Sequence, residues 1–164
     1  MPINVLFIED LFAQFAVRES AEDYLAKYGR YTFQTAKKFY SMLAVESERF
    51  LVLDCESMWI KPTNMNNMFD NYFEKPFLAG SRLNERRIIS NDLKQMLENI
   101  DYLLDFKCDK WFLENFVWFY EKRILQELFA EHGCLEQMVN RLNAKNENIK
   151  IDGTIRTGIF EIIL

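Results

Sequence analysis

Two acids close an apolar run of strand length: Phe50-Leu-Val-Leu53 leads directly into Asp54-Cys-Glu56. Residues two apart on a strand point the same way, so the Asp54 and Glu56 carboxylates can converge on one hard cation, Mn²⁺ or Mg²⁺. A strand ending in acids also delivers them to the carboxyl edge of a sheet, where open α/β sheets hold their ligands. A cation there can bridge a diphosphate and offset charge on a leaving nucleotide. The plainer alternative is a polar strand end with two solvated acids, and the acid-x-acid spacing by itself is short and common.

Other residues offer chemistry with a structural alternative beside each. Glu114 lies within the almost wholly apolar stretch from Trp111 to Tyr120 and is the candidate catalytic acid or base, because burial there would raise its pKa. A local hydrogen bond or an outward turn is the competing reading. Glu9-Asp10 could reach the same sheet edge as Asp54, or sit in a plain loop. His132 is the only histidine, and its place before Gly133 suits a charge at a helix C-terminus. One histidine excludes a multi-histidine metal site and leaves no Ser/His/Asp triad to spare. Arg82, Arg86 and Arg87 could meet a phosphate or an acidic acceptor, with a solvated loop as the bland view. Trp111 and Trp118 read as core before they read as a sugar-stacking platform. Neither of the standard glycine-rich phosphate loops occurs.

The elements that must position these residues follow from apolar spacing. Asn4-Val-Leu-Phe-Ile8 reads as a short buried strand. Ser20-Ala-Glu-Asp23 is a capping box opening a helix whose Ala21, Tyr24, Leu25 and Tyr28 share a face before Gly29 stops it. Residues 32–45 form a second helical segment, with Ala36, Phe39, Tyr40 and Leu43 on one side. The run from Phe50 to Leu53 has the character of a central strand covered on both faces. Met58-Trp-Ile60 is a further extended piece ended by Pro62, residues 63–72 hold a helical turn or two, and Pro76 to Ala79 is a candidate strand. From Ile89 to Leu104 the apolar residues fall on one helical face, with Ser90 and Asp92 as caps. Asp109 is expected to cap a helix from Lys110 to about Glu131, stopped by His132-Gly133, and a shorter helix follows near 134–144. Ile159 to Leu164 ends inside an apolar segment, which suggests part of a larger fold.

Composition bounds the rest. The 164 residues suit a single domain over 1–164; 49% are hydrophobic and 27% charged, so a packed core is expected. A net charge of −5 excludes phosphate-backbone binding as the main activity, so no nucleic-acid partner is expected. No apolar run approaches the roughly 20 residues that span a bilayer, and residues 1–10 lack the pattern of a secretory signal. Cys55, Cys108 and Cys134 are an odd, scattered three, as in a reduced cytoplasmic protein.

With these motifs placed, Phe50-Leu-Val-Leu-Asp-Cys-Glu-Ser-Met-Trp-Ile-Lys-Pro62 resembles the DXD segment of bacterial glycosyltransferases of the GT-A type. Gly29 to Gln34, followed by Lys37 and Phe39, is similar to the helix those enzymes carry just ahead of that strand. Trp111-Phe-Leu-Glu114 and Trp118-Phe-Tyr120 are similar to a Trp/Glu-rich helix of nucleotide-sugar transferases. The resemblance implies a partial GT-A-like, Rossmann-like α/β sheet followed by a helix-rich C-terminal half. It implies metal and donor-diphosphate binding by Asp54 and Glu56, with Gln34 and Lys37 facing the donor. The expected partners are a nucleotide-sugar donor and a glycan or lipid-linked glycan acceptor, at a cytoplasmic location or peripheral to the inner membrane. Glu56 departs from the usual Asp, and only about 50 residues precede Asp54, which leaves little room for a nucleotide-base subsite. The alternative is therefore a non-catalytic module, an inactive transferase remnant, whose apolar surface serves a partner or a homo-oligomer.

Overall fold

The computed structural model describes residues 4–53, 57, 61–75, 91–105, 107 and 118–145, with the backbone alone at 81–82 and 110–111 and, for side chains, nothing at 91–93. Helix α1 (Ile8–Gln14) carries Leu11 and Phe12 into the core. It ends in a Schellman arrangement: the Val17 N–H reaches the Phe12 carbonyl at 2.8 Å and the Ala16 N–H reaches that of Ala13 at 3.3 Å. Ala16 closes the turn at φ 55°, a conformation that costs an L-residue roughly 1–2 kcal/mol and glycine almost nothing.

Helix α2 (Ala21–Ala44) starts where the capping residue dictates, with the Ser20 hydroxyl accepting the Asp23 N–H at 3.1 Å. Gly29 breaks it into two halves, at φ 80° and ψ 169°. That region of backbone space is essentially closed to any residue with a Cβ. The break has a purpose in the packing. Phe12 lies 4.9 Å from Tyr24, 6.5 Å from Phe33 and 6.1 Å from Tyr40, ring centre to ring centre. In a straight helix Tyr24 and Tyr40 would stand about 24 Å apart at 1.5 Å per residue. Only a folded α2 can close both halves round one phenylalanine.

Three more helices complete the core. Helix α4 (Asn91–Leu104) buries Met96, Leu97, Ile100 and Leu103, the face expected from their spacing. Helix α5 (Lys122–His132) buries Leu125 and Leu128, and α6 (Leu135–Lys145) buries Leu135, Met138, Val139 and Leu142. Between them Gly133 turns the chain at φ 83°, and the Gln137 side chain accepts the Cys134 N–H at 2.9 Å, capping α6. The start of α5 is tied to the end of α2 by buried Lys122: its N–H bonds the Glu48 carbonyl at 2.9 Å and its ammonium donates to the Val45 carbonyl.

The strands are short and antiparallel. β1 (Arg49–Val52) pairs with β4 (Trp118–Glu121), Arg49 opposite Glu121 and Val52 opposite Trp118, while β2 (Ser81–Arg82) pairs with β3 (Lys110–Trp111). Alternation sorts the β1–β4 ribbon: Phe50, Val52, Trp118 and Tyr120 pack on the helical core. Its other face is covered by α3 (Met65–Glu74), whose Tyr72 stacks on Phe119 at 4.2 Å and whose Phe69 meets the same ring edge-on at 5.5 Å. The Arg49 guanidinium lies 4.5 Å from the Phe73 ring.

This architecture overturns the expected α/β fold and, with it, the resemblance to a GT-A transferase. Helices dominate the described residues, and their strands form two separate antiparallel pairs, not a Rossmann-like parallel sheet. The expected first strand is instead an exposed approach to α1, which begins at Ile8. Without that neighbour the run from Phe50 is half-buried and joined on one side to β4, not central. The expected helix from Lys110 begins only at Lys122, because Trp118-Phe-Tyr120 are strand-favouring aromatics that gain more by pairing across β1. The candidate strands at 58–60 and 76–79 lie outside the described residues.

Two backbone positions give opposite expected outcomes. Gly29→Ala and Gly29→Asn should each cost about 1–3 kcal/mol in urea titrations, because neither residue tolerates this φ/ψ. Ala16→Gly should instead raise stability, by about 1 kcal/mol, since it relieves a left-handed alanine.

Candidate functional site

The most organised polar cluster of the described residues joins α6 to the second half of α2. Gly133 and the Gln137 cap fix the first turn of α6, and that turn places Glu136 where the helix dipole favours a carboxylate. The Tyr40 hydroxyl, from the second half of α2, donates to Glu136 at 2.9 Å from Oε1 and 2.8 Å from Oε2. Tyr24, from the first half and 0% exposed, lies with its ring 4.6 Å from that of Tyr28, and its buried hydroxyl makes no hydrogen bond among the described residues. Burial, reinforced by the negative Glu136, pushes both Tyr24 and Tyr40 far above the usual phenol range. Burial also raises the Cys134 thiol, and Glu136 acts in the same direction. The arrangement therefore holds protons in place. It offers a neutral thiol, neutral phenols and one engaged carboxylate, a set suited to locking helices together.

A second feature is an open cleft of about 660 Å³ where α4 and α6 end, lined by Glu98, Asp101, Tyr102, Asp105, Lys107 and Lys145. Lys145 is already committed: its ammonium donates to the Glu98 carbonyl at 2.8 Å and sits 4.8 Å from the Tyr102 ring centre. The third is apolar. Val5, Leu6 and Phe7, ahead of α1, are 69%, 47% and 63% exposed.

The expected transferase site is not assembled among the described residues. Asp54, Glu56 and Glu114 lie outside them, as do Arg86 and Arg87. Gln34 and Lys37 stand on the exposed side of α2, where the Lys37 ammonium lies 5.3 Å from the Phe33 ring. Glu9 and Asp10 are exposed in the first turn of α1, not at a sheet edge. His132 closes α5 as expected, with Nε2 3.7 Å from Glu131. Trp118 is core, not a sugar platform. Among the described residues no group of three or more His, Cys, Asp or Glu could hold a metal ion, so the expected Mn²⁺ or Mg²⁺ centre is corrected. With neither that centre nor a Rossmann-like sheet edge, the expectation of an enzyme transferring sugar from a nucleotide donor to a glycan is overturned. No helix among the described residues is long and apolar enough to cross a membrane.

Sequence reasoning assigned Tyr40 only to a helix face and gave Glu136 no role. The two are 96 residues apart in the chain, and no local spacing links them. The one local signal is the Gly133-Cys-Leu-Glu-Gln137 run, which marks a helix start with an acid in its first turn. No protein-family model, curated protein or solved structure matches the chain.

The tyrosines set an alkaline limit. Their folded pKa values lie above the unfolded value near 10, so the folded state keeps protons that the unfolded chain releases. Stability from this source is whole below pH 10 and falls as pH rises beyond it; Tyr40→Phe should flatten that decline in urea titrations across alkaline pH. At neutral pH the same variant should lose about 1.5–3 kcal/mol, the range for a hydrogen bond to a charged group. In a Cys55→Ser, Cys108→Ser background, Cys134 should react with a disulfide reagent more slowly at pH 8 than a free thiol does.

Proposed function

We propose that this chain is a non-catalytic helical interaction module that associates with a second copy of itself through the apolar approach to α1. The observation that carries the reading is the exposure of three consecutive large apolar residues, Val5, Leu6 and Phe7. Single exposed apolar side chains are ordinary, whereas a contiguous group is the usual mark of a docking surface. The other aromatic group outside the helical core, on α3, is already engaged with Phe119 and is only half-buried or better at Phe69, Tyr72 and Phe73. The segment carries no charge of its own, so two copies meet there without like-charge repulsion, although the chain as a whole is at −5.

Magnitudes set the strength. Fully burying a Val, Leu or Phe side chain is worth about 1.5–3 kcal/mol, and these three are roughly half to two-thirds exposed. Their combined area falls short of the ~800 Å² per partner typical of a stable interface, which favours a weak, reversible dimer. Sedimentation velocity from about 10 μM to about 1 mM should show a monomer giving way to dimer, at the −4 to −7 kcal/mol end of association. Leu6→Asp with Phe7→Asp should hold the chain monomeric over that range with unchanged helicity. A wild-type chain that stays monomeric at about 1 mM would remove the proposal.

A further inference from the structure

Resting on that reading, we infer that the two copies join by pairing Val5–Phe7 as antiparallel β-strands about a two-fold axis through Leu6. The segment has the backbone for it. Phe7 is extended at φ −87° and ψ 137°, and residues 4–7 belong to neither helix nor strand. The N–H and C=O groups of Asn4, Val5 and Leu6 find no hydrogen-bond partner within the described residues, whereas the Phe7 carbonyl is taken by the Leu11 N–H at 3.2 Å. An extended backbone with open donors and acceptors pairs with another such strand, the basis of recognition by strand addition.

Symmetry and side-chain chemistry select a second copy as the occupant. A two-fold axis normal to an antiparallel pair places residues of like parity opposite each other on the same face. Centred on Leu6, it sets Leu6 against Leu6 and sets Val5 of each copy against Phe7 of the other. The Val5–Phe7 contact is an aromatic–β-branched cross-strand pair, among the favourable combinations, and the two-fold makes it twice. Val5 and Phe7 share one face of the ribbon and Leu6 the other, so the segment matches its own copy on both faces.

Charge then fixes the direction. Glu9 and Asp10 follow the segment, both exposed and without an ion pair. Parallel pairing would set these carboxylates side by side in the two copies. Antiparallel pairing puts them at opposite ends of the ribbon, so that the carboxylates of the two copies do not stand side by side.

The test is sedimentation equilibrium of the full chain and four variants at the exposed segment, with far-UV circular dichroism to verify the fold. Leu6→Pro keeps an apolar side chain but removes the central N–H, and it should weaken dimerisation at least about tenfold. Val5→Lys and Phe7→Glu should each weaken it alone. Combined in one chain, they set opposite charges across both cross-strand pairs and should restore dimerisation above either single variant. A wild-type dimer that is indifferent to Leu6→Pro, or a double variant as weak as the singles, overturns the strand pairing while self-association stands. A monomeric wild type overturns both.

Discussion

The structure depends on closing one broken helix round one phenylalanine. Gly29 supplies a backbone conformation denied to other residues, and through it the two halves of α2 reach Phe12 from opposite sides. Tyr24 and Tyr40, separated by sixteen residues, then share a neighbourhood round Phe12, and the Tyr40 hydroxyl donates to the Glu136 carboxylate. That carboxylate sits in the first turn of α6, so the same cluster that folds α2 also fixes α6. Phe15, stacked on Tyr40 at 5.0 Å, draws in the end of α1. Aromatic area supplies the driving force, and the hydrogen bond from Tyr40 to the Glu136 carboxylate adds specificity to it.

The β1–β4 ribbon is subordinate to that helical core. It presents Phe50, Val52, Trp118 and Tyr120 inward and leaves Phe119 to the aromatic face of α3. Two antiparallel strands are marginal in water and persist here because both faces are covered. Such a ribbon has no topological switch point, the crevice at which a parallel α/β sheet would gather acids around a nucleotide. The reading of the chain as a module rests on the exposed apolar segment outside the core.

The 63% exposure of Phe7 contrasts with the aromatic core. The rings of Phe12, Phe33, Phe39 and Tyr40 pack against one another or against Phe129. Phe7 sits one residue before α1 and serves as its N-cap through the backbone alone, with no side-chain hydrogen bond. A polar side chain at that position would cap the helix where the phenyl ring does not.

Local chemistry made part of this legible in the chain. Ser20 as a cap, Gly29 as a break, the apolar face of α4, and His132-Gly133 as the end of α5 are all set by short-range effects: a hydroxyl reaching an N–H, a missing Cβ, or a helical period. Apolar runs did not reveal their own state. Asn4–Ile8 and Trp111–Tyr120 satisfy strand and interior helix alike; the partner across the ladder decided that Trp118–Glu121 is strand, and Ile8 opens a helix that carries Leu11 and Phe12 into the core. The acids after Phe50 drew meaning from a parallel sheet that tertiary pairing did not build. The link between Tyr40 and Glu136 could arise only in three dimensions, because what joins them is the packing of α6 on the second half of α2, not any interval along the sequence.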